Sequence, residues 1–153
     1  MILAIPTGTL SILVTLLLLY LSLASNPFDV KSVHLFPNAD KCVHFLMYFG
    51  CALIYLYEYA KHKLPHHTNI NGELAITTSL AVFGVLVETA QMTLTDDRSF
   101  EWLDCLANAT GAFTCFLLMH FWGKHFIHSM LYRTVIAQKQ HRHYKHHRKV
   151  GQY

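Results

Sequence analysis

Four long apolar runs decide most of what this chain can fold into. They cover about Leu3 to Ala24, Cys42 to Ala60, Leu74 to Leu94 and Trp102 to Trp122. A helix needs roughly 20 consecutive, mostly apolar residues to cross the hydrocarbon of a bilayer, because each residue advances only ~1.5 Å. All four runs meet that length. Composition points the same way: 53% of the 153 residues are hydrophobic and 14% are charged, against about 25% charged in a soluble domain. The expected fold is an all-α membrane protein, a four-transmembrane-helix bundle over residues 1–123 followed by a C-terminal amphipathic interfacial helix. The first run ends in Ser22-Leu23-Ala24, which resembles a signal-peptide cleavage site. However, no Lys or Arg precedes it, and its apolar core exceeds the ~7–15 residues of a signal h-region. It reads as a retained span.

Orientation follows the Lys/Arg bias of the connections. Lys61 and Lys63 lie between the second and third runs. Seven more follow the fourth, so nine of the twelve basic residues share one side. With an even number of spans both termini are expected in the cytoplasm, and residues 25–41 and 95–101 face outward. Beyond the fourth run, Lys124 to Gln138 sets Phe126, Ile127, Met130, Leu131, Val135 and Ile136 among polar and basic residues, the pattern of a helix lying on a membrane surface. Residues 124–153 therefore read as a basic, His-rich cytoplasmic tail. Its run from His141 to Lys149 is expected to attract anionic lipid at about 1 kcal/mol per basic residue. No recognition fold for nucleic acid accompanies it. The four cysteines match no zinc or disulfide spacing.

Against this apolar background a few strong polar groups stand out. Asp40, His44 and Tyr48 open the second run; Gly84, Glu88 and Gln91 close the third; Asp104, Asn108 and Gly111 open the fourth. Residues three or four apart share a helical face, so each set forms one face at the same end of its helix. An ionisable group facing lipid costs about 3 kcal/mol on insertion scales. Inward convergence is therefore favoured, with Arg98 of the short connecting loop as the natural cationic partner. Gly84, Ala107 and Gly111 would let the helices approach closely. A plainer reading treats these residues as interhelical glue, with Asp40 and Asp104 as helix caps. One His among several carboxylates could hold a divalent metal, but helical spacing alone assigns none, and no cofactor is expected.

Asp40-Lys41-x-x-His44-Phe45-x-x-Tyr48 resembles the first signature of the VanZ-like family of small bacterial membrane proteins. Glu88-x-x-Gln91, followed by Arg98-Ser99-Phe100-x-Trp102-Leu103-Asp104-x-Leu106-Ala107-Asn108-x-x-Gly111, resembles the second. Thr95-Asp96-Asp97 stands where members of the family often carry a Pro-Gly turn, which makes this loop more acidic. The resemblance implies a multi-pass protein of the bacterial inner membrane with a role in the cell envelope or in resistance to glycopeptide antibiotics such as teicoplanin.

Three functions fit these residues. The first is an outward-facing intramembrane pocket that binds, or protects against, an envelope molecule or antibiotic. Its ligand residues would be Asp40, His44, Tyr48, Glu88, Gln91, Arg98, Asp104 and Asn108. The second is a membrane-embedded acid–base or metal-assisted enzyme acting on a lipid-linked substrate. Here His44 would pair with Glu88 or Asp104, although no nucleophile motif is present. The third is a small ion- or proton-coupled carrier, which would need a homodimer. No G-x-x-x-x-G-K-[ST] phosphate loop occurs, so the chain is not a primary ATP-driven pump by itself. The expected partners are the bilayer and a lipid-linked or antibiotic ligand.

Overall fold

The computed structural model describes residues 6–23, 39–63, 66–94 and 100–123, together with 129, 132 and 133. The regular structure among the described residues is all helical, with no strand. Helix α1 spans Thr9–Leu23, α2 Ala39–Lys63, α3 Ile70–Leu94 and α4 Trp102–Leu118. A π-helical turn, Met119–Gly123, continues α4. Helices α2, α3 and the combined α4 and π turn are long and apolar enough to cross a membrane. The described part of α1 has 15 residues. At ~1.5 Å per residue it extends about 22 Å, short of a ~30 Å hydrocarbon core. The expected four-span arrangement is thus described for three helices. The interfacial helix expected over 124–138 lies almost wholly outside the described residues.

Both α2 and α3 begin several residues before their apolar runs, at Ala39 and Ile70. The added turns are polar, and the N-terminal turn of α2 brings Asp40 and Lys41 into the helix. Helix α2 makes its most extensive contact with α4, while α3 leans on α4 and α1 on α2. The shared core is built largely from small side chains: Cys51 and Ala52 of α2 meet Ala112 and Cys115 of α4, with Leu56, Leu80, Val87 and Phe116 around them. Lipid gives helices no hydrophobic reason to associate, so close packing of small residues must do it. Gly111 shows how close the approach is, because a Cβ there would overlap the backbone carbonyl of Phe45.

The distribution of polarity is inverted relative to a soluble bundle. Leu46, Val82, Leu86, Leu106 and Leu117 are exposed. The largest fully buried side chains include Tyr48, Gln91, Asn108 and Thr77. Polar groups inside and leucines outside suit a hydrocarbon solvent, where an inward hydrogen bond replaces lost water.

Candidate functional site

The N-terminal end of α2, the C-terminal end of α3 and the N-terminal end of α4 meet at one end of the bundle. Lys41 occupies the mouth of this junction. Its Nζ lies 2.7 Å from Asp40 Oδ2 and 2.8 Å from Asp104 Oδ1, and it also pairs with Glu101. Asp40 and Glu101 are largely exposed, whereas Asp104 is 7% exposed. The ammonium therefore compensates a carboxylate that burial would otherwise penalise heavily.

Below Lys41 the groups are buried. Asn108 Oδ1 lies 3.1 Å from His44 Nδ1. The other ring nitrogen of His44 faces Asp104 Oδ2 at 3.9 Å. From α3, Glu88 Oε1 accepts a hydrogen bond from the backbone N–H of Glu101 at 3.2 Å. That places a carboxylate at the positive end of the α4 dipole, where negative charge is stabilised. One ligand atom each from His44, Glu88 and Asp104 lies within 4.8 Å of the others, and all three residues are buried.

Tyr48 lies one turn below His44 on the same face of α2. Its ring would be 3.2 Å from a Cβ added to Gly84, and Asn108 would be 3.0 Å from that same atom. Gly84 thus makes room for both side chains, so its small size serves the site directly. Ala107 is only half-buried. Ala112 takes the close-packed position on α4 that the sequence suggested for Ala107.

The structure therefore draws His44, Glu88, Asp104 and Asn108 together, with Tyr48 beneath them and Asp40 on the rim. Gln91 is buried but directed elsewhere: its Nε2 donates to the carbonyl of Ser22 at 2.7 Å, tying α3 to the end of α1. Arg98 lies outside the described residues. Among the described residues the cation at the site is Lys41, which the reading of helical faces passed over. The signal was present, because Lys41, His44 and Tyr48 are spaced three and four apart and share a face as fully as Asp40, His44 and Tyr48 do.

A second polar cluster occupies the opposite end of the bundle. Glu58 of α2 accepts from the backbone N–H groups of Leu10 and Ser11, at 3.3 and 3.1 Å, and from Ser11 Oγ at 2.5 Å. Glu73 of α3 pairs with His120 Nδ1 at 2.6 Å and with Thr68. Sequence reasoning did not single out Glu58, Glu73 or His120. An open apolar groove of about 710 Å³ also runs along α3, lined by residues including Leu74, Thr78, Val82 and Leu86. It faces away from the Gly84–Glu88 side of that helix.

The family model described as VanZ/LLP1 matches residues 5–123. That span includes every described residue of both polar clusters. No curated protein and no solved structure matches the chain.

Proposed function

We propose that this chain, which belongs to the VanZ/LLP1 family, uses the Lys41 end of its membrane bundle to bind an anionic group of a cell-envelope molecule. The candidates by chemistry are a lipid-linked wall precursor and the peptide part of a glycopeptide-type antibiotic. In this reading the protein sits in the bacterial inner membrane with its termini in the cytoplasm and the Lys41 end outward, as the Lys/Arg distribution favours.

The observation that carries the reading is the position of Lys41 among Asp40, Glu101 and Asp104 at the mouth of a buried polar junction. Simple glue between helices is met by one or two neutral hydrogen bonds. Gathering a lysine, a histidine and two buried carboxylates costs desolvation that hydrophobic packing would avoid. A phosphate or carboxylate arriving at the mouth would take over the ammonium from the exposed Asp40 and Glu101, while Asp104 holds it in place. His44 and Asn108 then supply hydrogen bonds at greater depth.

One observation favours a second reading, an acid–base enzyme acting on a lipid-linked substrate. Asn108 fixes the ring of His44 with its free nitrogen turned toward Asp104, an arrangement that suits proton transfer. The two readings separate on His44→Asn, which should leave a binder partly active and abolish an acid–base enzyme.

The test is genetic. The gene is deleted, and sensitivity to a panel of cell-wall antibiotics including teicoplanin is compared after complementation with wild type, Lys41→Ala and Glu88→Gln, at matched membrane abundance. Wild type should restore tolerance to at least one compound, and both variants should restore less. Unchanged sensitivity across the panel removes the envelope reading.

A further inference from the structure

The junction of α2, α3 and α4 holds a pairing that hydrogen bonding among its own residues does not resolve. Asp104 divides its two oxygens: Oδ1 receives Lys41 at 2.8 Å, while Oδ2 faces His44 Nε2 at 3.9 Å. The second distance is too long for a hydrogen bond. It is about 0.5 Å wider than the ~3.4 Å between donors held by bonds of ~2.0–2.1 Å in a tetrahedral set, a gap that a bound ion would draw closed. Glu88 contributes a third ligand atom within the same 4.8 Å cluster. Each of the three ligands comes from a different helix.

Two further observations point to an ion. The first is the support behind His44. Metal-binding histidines almost always donate the other ring N–H to an oxygen acceptor, which fixes the tautomer and aims the lone pair at the metal. Asn108 Oδ1, 3.1 Å from His44 Nδ1 and 1% exposed, fills that role. In the tautomer with Nδ1 donating, a neutral His44 presents the lone pair of Nε2 toward a carboxylate, an arrangement that a cation between them would make favourable. The second observation is Tyr48. It is 1% exposed, and its hydroxyl has no hydrogen-bond partner among the described residues. The Tyr48 ring and Asn108 both pack against Gly84, one helical turn from His44, and side chains on a helix lean toward its N-terminus, the direction of the cluster.

We propose that His44, Glu88 and Asp104 bind one divalent transition-metal ion, with zinc the best match to one imidazole and two carboxylates. The unpartnered Tyr48 hydroxyl is buried one helical turn from His44. The neighbouring acidic group of Asp40, Glu101 and Asp104 already holds the Lys41 ammonium. The metal site thus lies one layer deeper and shares only Asp104 with it. The inference rests on the same junction as the envelope reading, and the ion would add a second positive centre below Lys41 for an anionic oxygen group. Ion binding itself requires no envelope molecule.

The test uses the purified full-length chain in detergent and zinc alone. Wild type, His44→Ala, Asp104→Asn and Asn108→Ala are loaded with zinc and dialysed against a weak chelator, and metal per chain is measured. The tail histidines are common to all four, so the difference between proteins reports the junction. Wild type should retain about one ion more per chain than His44→Ala or Asp104→Asn. Asn108→Ala, which keeps all three ligands, should bind zinc 10–100-fold more weakly. Zinc should also raise the unfolding midpoint of wild type, a measurement that needs no variant to fold. Equal metal content in wild type and His44→Ala, or a wild-type midpoint unmoved by zinc, overturns the proposal. Zinc retention with an unchanged antibiotic panel would leave the ion site standing and remove only the envelope reading.

Discussion

Glu88 Oε1 accepts the backbone N–H of Glu101 at 3.2 Å, so a side chain of α3 holds the first turn of α4 across the connecting loop. The same device recurs at the other end, where Glu58 of α2 holds the first turn of α1. In both cases a neighbouring helix supplies the acceptor that the terminal N–H groups lack.

Glu88→Gln keeps an oxygen acceptor but loses the charge, whereas Glu88→Ala loses both. Unfolding in detergent should therefore rank wild type above Gln and Gln above Ala, with the last step near 1 kcal/mol, as for loss of an N-terminal cap. Equal stability of the two variants would show that the hydrogen bond to Glu101 contributes nothing.

Glu58→Ala removes acceptors for two backbone donors and the Ser11 hydroxyl. Hydrogen bonds to a charged group contribute about 1.5–3 kcal/mol, so α1 should loosen from α2 before the rest of the bundle unfolds. Hydrogen exchange would detect this as faster exchange confined to Leu10 and the following turns. Ser11→Ala should show a smaller effect in the same place.

Lys41 and Asp104 form an ion pair whose acidic partner is buried. Lys41→Met strands that carboxylate and should destabilise the bundle by about 3 kcal/mol. Adding Asp104→Asn should restore much of the loss, giving a coupling energy of about 1–3 kcal/mol in a double-mutant cycle. Strictly additive single effects would mean that the pair is not coupled in the membrane-extracted protein.

Two glycines offer a contrast. A Cβ at Gly111 would overlap the Phe45 carbonyl, and Gly111→Ala should cost about 1–3 kcal/mol through forced separation of α2 and α4. At Gly50, also within a helix, nothing lies within 4 Å of an added Cβ. Gly50→Ala should therefore be neutral or raise stability by up to about 1 kcal/mol through helix propensity. Thermal unfolding of both variants measures the difference.

Helical periodicity made much of the site legible. His44, Glu88, Asp104 and Asn108 were placed on inward faces by spacing alone, and the helices bring them together. The family was legible too, because His44 with Tyr48 and Asp104 with Asn108 stand in two separate signatures. What escaped notice had two causes. Lys41 sits just outside the apolar run of α2, where a lysine reads as an interfacial charge until the neighbouring helix is known to bring Asp104 and Glu101 beside it. Glu58 and Glu73 lie on the same inward faces as the recognised residues, whereas His120 sits in the π-helical turn, where the α4 periodicity no longer holds. His44, Tyr48, Cys51 and Glu58 follow one stripe of α2, and Glu73, Thr77, Leu80, Gly84 and Gln91 follow one stripe of α3. Following each stripe to its far end would have found Glu58 and Glu73. The role of Gln91 was not legible, since its acceptor is a main-chain carbonyl of α1 that no side-chain pattern announces.

The small-residue core has an electrical consequence. His44 and Glu58 are about 21 Å apart along α2 at ~1.5 Å per residue, and Cys51, Ala52, Ala112 and Cys115, all within 1% of complete burial, close the space between the two helices in that interval. The molecule is arranged like a capacitor: each terminal plate carries its own ionisable groups, and a thin dielectric of sulfur and methyl groups separates them. Among the described residues, the side chains that line this seam offer a proton no carboxylate or imidazole between the two plates.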